Sequence, residues 1–245
     1  MSFLKNHPFE VEAFFDHSIV LTFAFPKEQI AHLIPECLTL DTFNDEWAFI
    51  AVALVQTKNL RPKGFPPILG NDFMLIGYRV FVRYTNNAGK RLRGLYILKS
   101  ETDKKLMEIL GNVFTYYNYT TTDIEQVQAG NHLIIRSHQS NLKIELMVDE
   151  QEVQLPGQSP FTDWKEARRF AGPLPFTFTY LSSTKEILII EGVRESWIPA
   201  PIKVLNYHIP FLDSAQLNKG ILANSFIIKN IPYYWKKGRI EQWKP

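Results

Sequence analysis

Hydrophobic positions recur along the chain in short runs rich in Val, Ile, Phe, Tyr and Thr, broken by turn residues, and this pattern predicts strands. The runs are SIVLTFAF (18–25), WAFIAVALVQ (47–56), MLIGYRVFVRYT (74–85), RLRGLYILKS (91–100), HLIIRSH (132–138), KIELMVD (143–149), FTFTYLS (176–182), EILIIEGVRE (186–195) and ILANSFIIK (221–229). The NNAG at 86–89 separates two of them, so 74–100 reads as a β-hairpin. Helical spacing is rarer. PKEQIAHLI starts at Pro26 and stops before Pro35. Over 101–114, Leu106, Ile109, Leu110 and Val113 form an i, i+3, i+4, i+7 stripe, with Ser100 as the expected N-cap. A third helix is expected after Thr162 in TDWKEARRFAG, ending near Gly172. RPKGFPPILGND (61–72) and PGQSP (156–160) read as loops, the first long enough to form a rim or lid. No repeat, low-complexity segment or linker interrupts the pattern. The reading is a single strand-dominated α+β domain spanning 1–245.

Composition narrows the class. Hydrophobic residues make up 45% and charged residues 21%, as expected of a globular chain. The net charge of +2 gives no electrostatic reason to expect a nucleic-acid partner. The lone Cys37 cannot form an internal disulfide. No apolar run approaches the roughly 20 residues a spanning helix needs, and the first residues lack a signal-peptide pattern. The expectation is therefore a cytoplasmic protein without a membrane partner. The six histidines are scattered at no metal-site spacing, so neither a metal nor another cofactor is expected. The tail IPYYWKKGRIEQWKP reads as a packed terminal segment or a subunit contact, the latter implying a homo-oligomer.

Two stretches resemble a known group. FAFPKEQIAHLIPECLTLDTFNDEWAFIAVAL (23–54) and FTDWKEARRFAGPLPFTFTYLSSTKEILIIEGVRESWIPAPIKV (161–204) follow the element order of the acetoacetate decarboxylase-like superfamily, in particular its branch of uncharacterised bacterial proteins. The resemblance implies an antiparallel, barrel-like sheet around a central cavity, with a few helices outside. It also implies a Schiff-base lysine paired with a second lysine. Lys104–Lys105 is similar to that pair, whereas alignment on Gly94 puts Thr102 and Asp103 at those places. The strand after LTLD, FIAV (49–52), carries no carboxylate where the decarboxylases have one.

Candidate chemistry gathers on the 74–100 hairpin and near residue 194. Glu101 and Glu108 lie four residues from Lys105 and Lys104, which describes a solvated helix face. Strand alternation puts Lys99 on the face of Leu95 and Ile97, where it either reacts as an amine or ends the strand and reaches water. Arg79, Phe81 and Arg83 share a face, which either lines an interior and binds a carboxylate or is the wet side of a half-buried strand. In EGVRESWIPAP (191–201), Glu191, Val193 and Glu195 alternate with Gly192, Arg194 and Ser196; Arg194 and Trp197 are either ligand contacts or an ion-pair partner and a rim aromatic. The expected function is non-covalent binding of a small anionic or carbonyl-containing molecule in a β-barrel cavity. The alternative is a Schiff-base lyase or decarboxylase of a small keto acid that uses Lys99.

Overall fold

The structure is a computed structural model that describes residues 2–148, 152–194, 197–214, 217 and 220–244. The strands in chain order are β1 (Val11–Pro26), β2 (Thr39–Leu40), β3 (Trp47–Pro62), β4 (Asn71–Thr85), β5 (Arg91–Thr102), β6 (Tyr119–Thr121), β7 (Glu125–Ala129), β8 (His132–Ser137), β9 (Leu142–Met147), β10 (Phe176–Leu181), β11 (Glu186–Arg194), β12 (Ala200–Pro201), β13 (Lys203–His208), β14 (Ile221–Trp235) and β15 (Arg239–Gln242). The helices are α1 (Ser2–Lys5), α2 (Lys27–Ile30), α3 (Lys105–Phe114), α4 (Trp164–Ala171) and α5 (Pro210–Ser214). Of the expected elements, Asp149 and Glu195 lie outside the described residues.

Eleven strands form one large sheet with the central order β12-β14-β1-β3-β4-β5-β10-β11-β15. Long antiparallel pairings join β14, β1, β3, β4 and β5, while β10 docks parallel to β5. That docking needs Gly94, because a Cβ there would lie 2.5 Å from the Phe176 carbonyl oxygen. The sheet curls until Gly192, Val193 and Arg194 of β11 meet Trp235, Tyr234 and Tyr233 of β14. This seam is three residues long because the first half of β11 pairs with β15 instead. The expected barrel is therefore realised as a curled, strand-dominated sheet and not as a closed barrel.

Both faces of this sheet are covered, so β3 reads as a nearly continuous apolar run. On the convex face, Ile19, Leu21, Ile50, Val52, Leu54, Ile76 and Val80 pack against Leu133, Ile135, Ile144 and Leu146 of a second sheet, β13-β9-β8-β7. The concave face surrounds a cavity. The hairpin forms as expected at 86–89: the Asn86 side chain accepts from the backbone N–H of Ala88 and Lys90, and Gly89 takes a φ of 76°.

Two helix expectations change. Pairing carries β5 through Thr102, so α3 begins at Lys105 and Ser100 is a strand residue. Met107 and Gly111 form its buried side, while Leu106, Ile109 and Val113 are exposed. A Cβ at Gly111 would sit 2.3 Å from the Tyr119 ring, so glycine there lets the helix settle onto that ring. By contrast, α4 starts where expected. Asp163 caps it by accepting from the Glu166 N–H at 2.7 Å, and Glu166 accepts in return from the Thr162 N–H at 2.8 Å.

Candidate functional site

The concave face encloses a cavity of about 390 Å³, within the range for small organic ligands. Its walls are mostly apolar: Phe15 and Val20 from β1, Ala51, Ala53 and Val55 from β3, and Phe81, Leu95 and Ile97 from β4 and β5. The lining also includes His7, Phe9, Pro62, Leu69 and, from α3, Leu110 and Phe114. The stretch read as a loop over 61–72 is shorter than expected, because β3 runs through Pro62 and β4 starts at Asn71; Arg61, Pro62, Leu69 and Asn71 line the cavity.

Arg79 is one of three arginines in the lining, with Arg61, which pairs with Glu12, and Arg194. It lies on β4 among the tyrosines Tyr117, Tyr119 and Tyr233, and all four residues line the cavity. Gly77, two residues earlier on the same face, makes room: a Cβ there would be 3.0 Å from the guanidinium Nε. No carboxylate pairs with Arg79 among the described residues, and its Nε–H is buried without an acceptor. Burial lowers the Arg79 pKa, while the three phenols act in the opposite sense. A guanidinium nevertheless stays protonated in a protein, so the cavity contains an uncompensated positive charge.

The phenols complete the polar wall. Burial raises the pKa of all three, that of Tyr117 to about 12, so they are neutral hydroxyls at ordinary pH. The Tyr117 hydroxyl is 2.8 Å from Thr177 Oγ1. Tyr233 stacks on Phe15 with centroids 4.9 Å apart, and its hydroxyl lies over Gly192, where a Cβ would be 1.7 Å away. Gly192 is therefore required for Tyr233 to adopt this position.

The other candidates separate by face. Arg194 and Trp197 both line the cavity. The Arg194 guanidinium lies 4.2 Å from the Trp197 ring and donates to the Pro173 carbonyl at 2.8 Å. The Trp197 Nε1–H is buried and, like Arg79 Nε, lacks an acceptor among the described residues. Arg83 does not line the cavity. It pairs with Asp41, which is wholly buried and also accepts from Arg93 Nε at 2.6 Å.

Lys99 lies on the opposite side of the sheet. Tyr78 pairs with Lys99 but Arg79 pairs with Ile97, so Leu98 is the extra residue of a β-bulge. The bulge reverses the alternation: Leu95, Ile97 and Ser100 line the cavity, while Lys99 faces the convex side. There the Lys99 ammonium donates to Glu101 at 2.7 Å, Tyr78 donates to the other oxygen at 2.9 Å, and Phe211 of α5 covers the group, 4.1 Å from the Tyr78 ring. Lys105 pairs with Glu108 at 2.6 Å and Lys104 lies 3.8 Å from Asp103, both on the surface. Among the described residues, the cavity lining contains no lysine, aspartate or glutamate.

Sequence reasoning missed Tyr117, Tyr119, Tyr233 and Gly77. The period-two spacing of Tyr117 and Tyr119 was the available signal for that pair. Tyr233 lay in a tail with no recognisable periodicity.

Comparison with known proteins places this geometry. Residues 13–225 match DUF2071, a family described as an uncharacterized conserved protein. The chain belongs to that family. No curated protein matches it. Among solved structures it is similar to an acetoacetate decarboxylase from Legionella pneumophila, with a TM-score of 0.62 and 10% identity over 96% of this chain and 88% of that one. It is similar to the enduracididine biosynthesis enzyme MppR complexed with pyruvate, with a TM-score of 0.61 and 10% identity over 97% and 92%. An acetoacetate decarboxylase-like enzyme from Sphingomonas wittichii RW1 gives 0.53 and 12% over 98% and 92%. At these identities the likeness shows a shared fold, so this DUF2071 chain has the acetoacetate decarboxylase-like architecture expected from its element order.

Proposed function

We propose that this DUF2071 protein binds a small, largely apolar carboxylate non-covalently in its central cavity. The supporting observation is Arg79, a half-buried guanidinium whose Nε–H is buried and unused and which has no carboxylate partner among the described residues, set in a largely apolar chamber. An isolated buried charge is strongly destabilising unless a counter-ion joins it. A ligand carboxylate would supply both that charge and the acceptors, accepting two parallel hydrogen bonds from the guanidinium fork. The unpartnered Trp197 Nε1–H and the neutral phenols add donors and no competing negative charge. The ligand's carbon skeleton would bury its surface against Phe15, Val20, Phe81 and Leu95 at roughly 25 cal/mol per Å².

This reading differs from Schiff-base chemistry in what the wall contains. A covalent mechanism needs a neutral amine within reach of the substrate carbonyl. Lys99 lies across the sheet and pairs with Glu101, and Ser100 takes the place on the cavity face.

Calorimetric titration tests the reading. Octanoate and 3-phenylpropanoate should bind the wild type saturably, and octanamide should not. In Arg79→Met the affinity for the acids should fall at least about 30-fold, the loss expected for a charge-assisted pair. Carboxylate binding that survives Arg79→Met would sink the proposal. So would a stoichiometric borohydride-trapped adduct of pyruvate or acetoacetate on Lys99.

A further inference from the structure

A second cleft adjoins the cavity on the outside of α4 and shares Gly172 and Phe226 with it. Its other lining residues include Lys165, Arg168 and Arg169 of α4, with Trp164, Asn224, Pro199 and Pro201. Helical geometry explains why the cations gather. Positions 165, 168, 169 and 172 are i, i+3, i+4 and i+7 and so share one face, while Ala167 and Ala171 are buried on the other. Lys165, Arg168 and Arg169 are exposed, and among the described residues none forms a salt bridge.

Exposed cations on a helix are by themselves ordinary. Asn224 beneath them is not. It is 1% exposed and lines the cleft, yet among the described residues neither its Nδ2 nor its Oδ1 has a hydrogen-bond partner. A buried carboxamide with both ends unsatisfied is rare, because each end forgoes its bonds to water. It sits beside a register shift: Thr22 pairs with Asn224, but Phe23 pairs with Leu222. The Thr22 hydroxyl, also buried, lacks a partner as well. The cleft's other wall cannot supply donors, since Pro199 and Pro201 have no N–H and the Trp164 indole N–H is used by the Val153 carbonyl at 2.7 Å. Any polar group entering must therefore meet the cations and Asn224, with Trp164, Phe226 and the prolines flanking an apolar portion.

We propose that this cleft binds the phosphate group of a phosphate monoester, with Lys165, Arg168 and Arg169 neutralising the dianion and Asn224 donating to a phosphate oxygen. The ester's organic part would lie between the Trp164 and Phe226 rings. The site is independent of the carboxylate reading, because it uses neither Arg79 nor the tyrosines.

The probe is phenyl phosphate, titrated at low ionic strength and followed by calorimetry, with thermal melting of each unliganded variant alongside. The wild type should bind one equivalent with a millimolar Kd. Arg168→Ser/Arg169→Ser and, separately, Asn224→Leu should each weaken binding by about tenfold or more, while Arg79→Met leaves it unchanged. Asn224→Leu removes two unsatisfied polar atoms, so its unliganded melting temperature should hold or rise. A merely structural asparagine would lower it. Failure to saturate, or wild-type affinity in Asn224→Leu, would overturn the proposal; the latter would reduce the α4 cations to a diffuse surface charge. Loss of octanoate binding in Arg79→Met together with intact phenyl phosphate binding would keep the two sites distinct.

Discussion

Arg79 and Arg83 are four residues apart on the same face of β4, yet the protein treats them in opposite ways. Arg83 shares the fully buried Asp41 with Arg93, and Arg93 also donates to the Phe170 carbonyl at 2.8 Å. That end of the strand is electrostatically complete, and its role is to tie β2's neighbourhood, β4, β5 and α4 together. Arg79 has no such counter-ion among the described residues, and its surroundings are a chamber of apolar groups and neutral phenols. The difference teaches that the residue type and its face do not indicate a site. What does is the charge that the rest of the fold leaves uncompensated.

Three measurements would break or sharpen this contrast. The largest effect is expected at the complete end. Asp41→Asn leaves two guanidiniums around a neutral amide and should destabilise the protein by about 2–3 kcal/mol, somewhat below the range for a wholly enclosed pair because both arginines keep some contact with water. Urea unfolding measures this, and a loss under about 0.5 kcal/mol would show that Asp41 is not the keystone. At the incomplete end the sign reverses. Arg79→Met removes an unpaired, half-buried charge and should raise the stability of the unliganded protein by on the order of 1 kcal/mol. Clear destabilisation instead would mean that Arg79 already has a structural counter-ion.

The third effect belongs to His7, which lines the cavity, is buried and has no partner for its ring Nε2 among the described residues. Burial lowers its pKa to about 4 from the ordinary 6.5. As pH falls the unfolded chain takes up this proton first, near 6.5, and the folded chain only near 4. The His7 contribution is therefore complete above pH 6.5 and lost as pH falls through about 4. His7→Asn should flatten this part of the stability–pH curve, and asparagine suits the positive φ of 53° found there. Identical curves for variant and wild type would remove His7 as the titrating group. This effect ranks last because other groups titrate in the same window.

Local pattern and element order carried much of the fold. Short runs of strand-forming residues located β1, β3, β4, β5 and β14, and the Asn86–Gly89 turn joined the hairpin, because strand propensity and turn stereochemistry act over a few residues. The edge strands β12, β13 and β15 left little trace, since exposed strands need not alternate. The α3 stripe misled for a related reason. Its exposed Leu106, Ile109 and Val113 carry the helical period as well as a buried face would, and only contact with Tyr119 identified the side bearing Met107 and Gly111.

The amino-acid sequence by itself determined that the chain is strand-rich, where most long strands run, and that Arg79, Arg194 and Trp197 deserved notice. Tertiary structure decided which of these face the cavity. One bulged residue, Leu98, exchanged Lys99 for Ser100 on the cavity face, and a bulge is set by pairing with the neighbouring strand. Asp41 claimed Arg83 and Arg93 but not Arg79 through contacts more than 40 residues apart. Alternation is a local property of the backbone, whereas charge compensation depends on which distant groups the closed fold brings within a few ångströms.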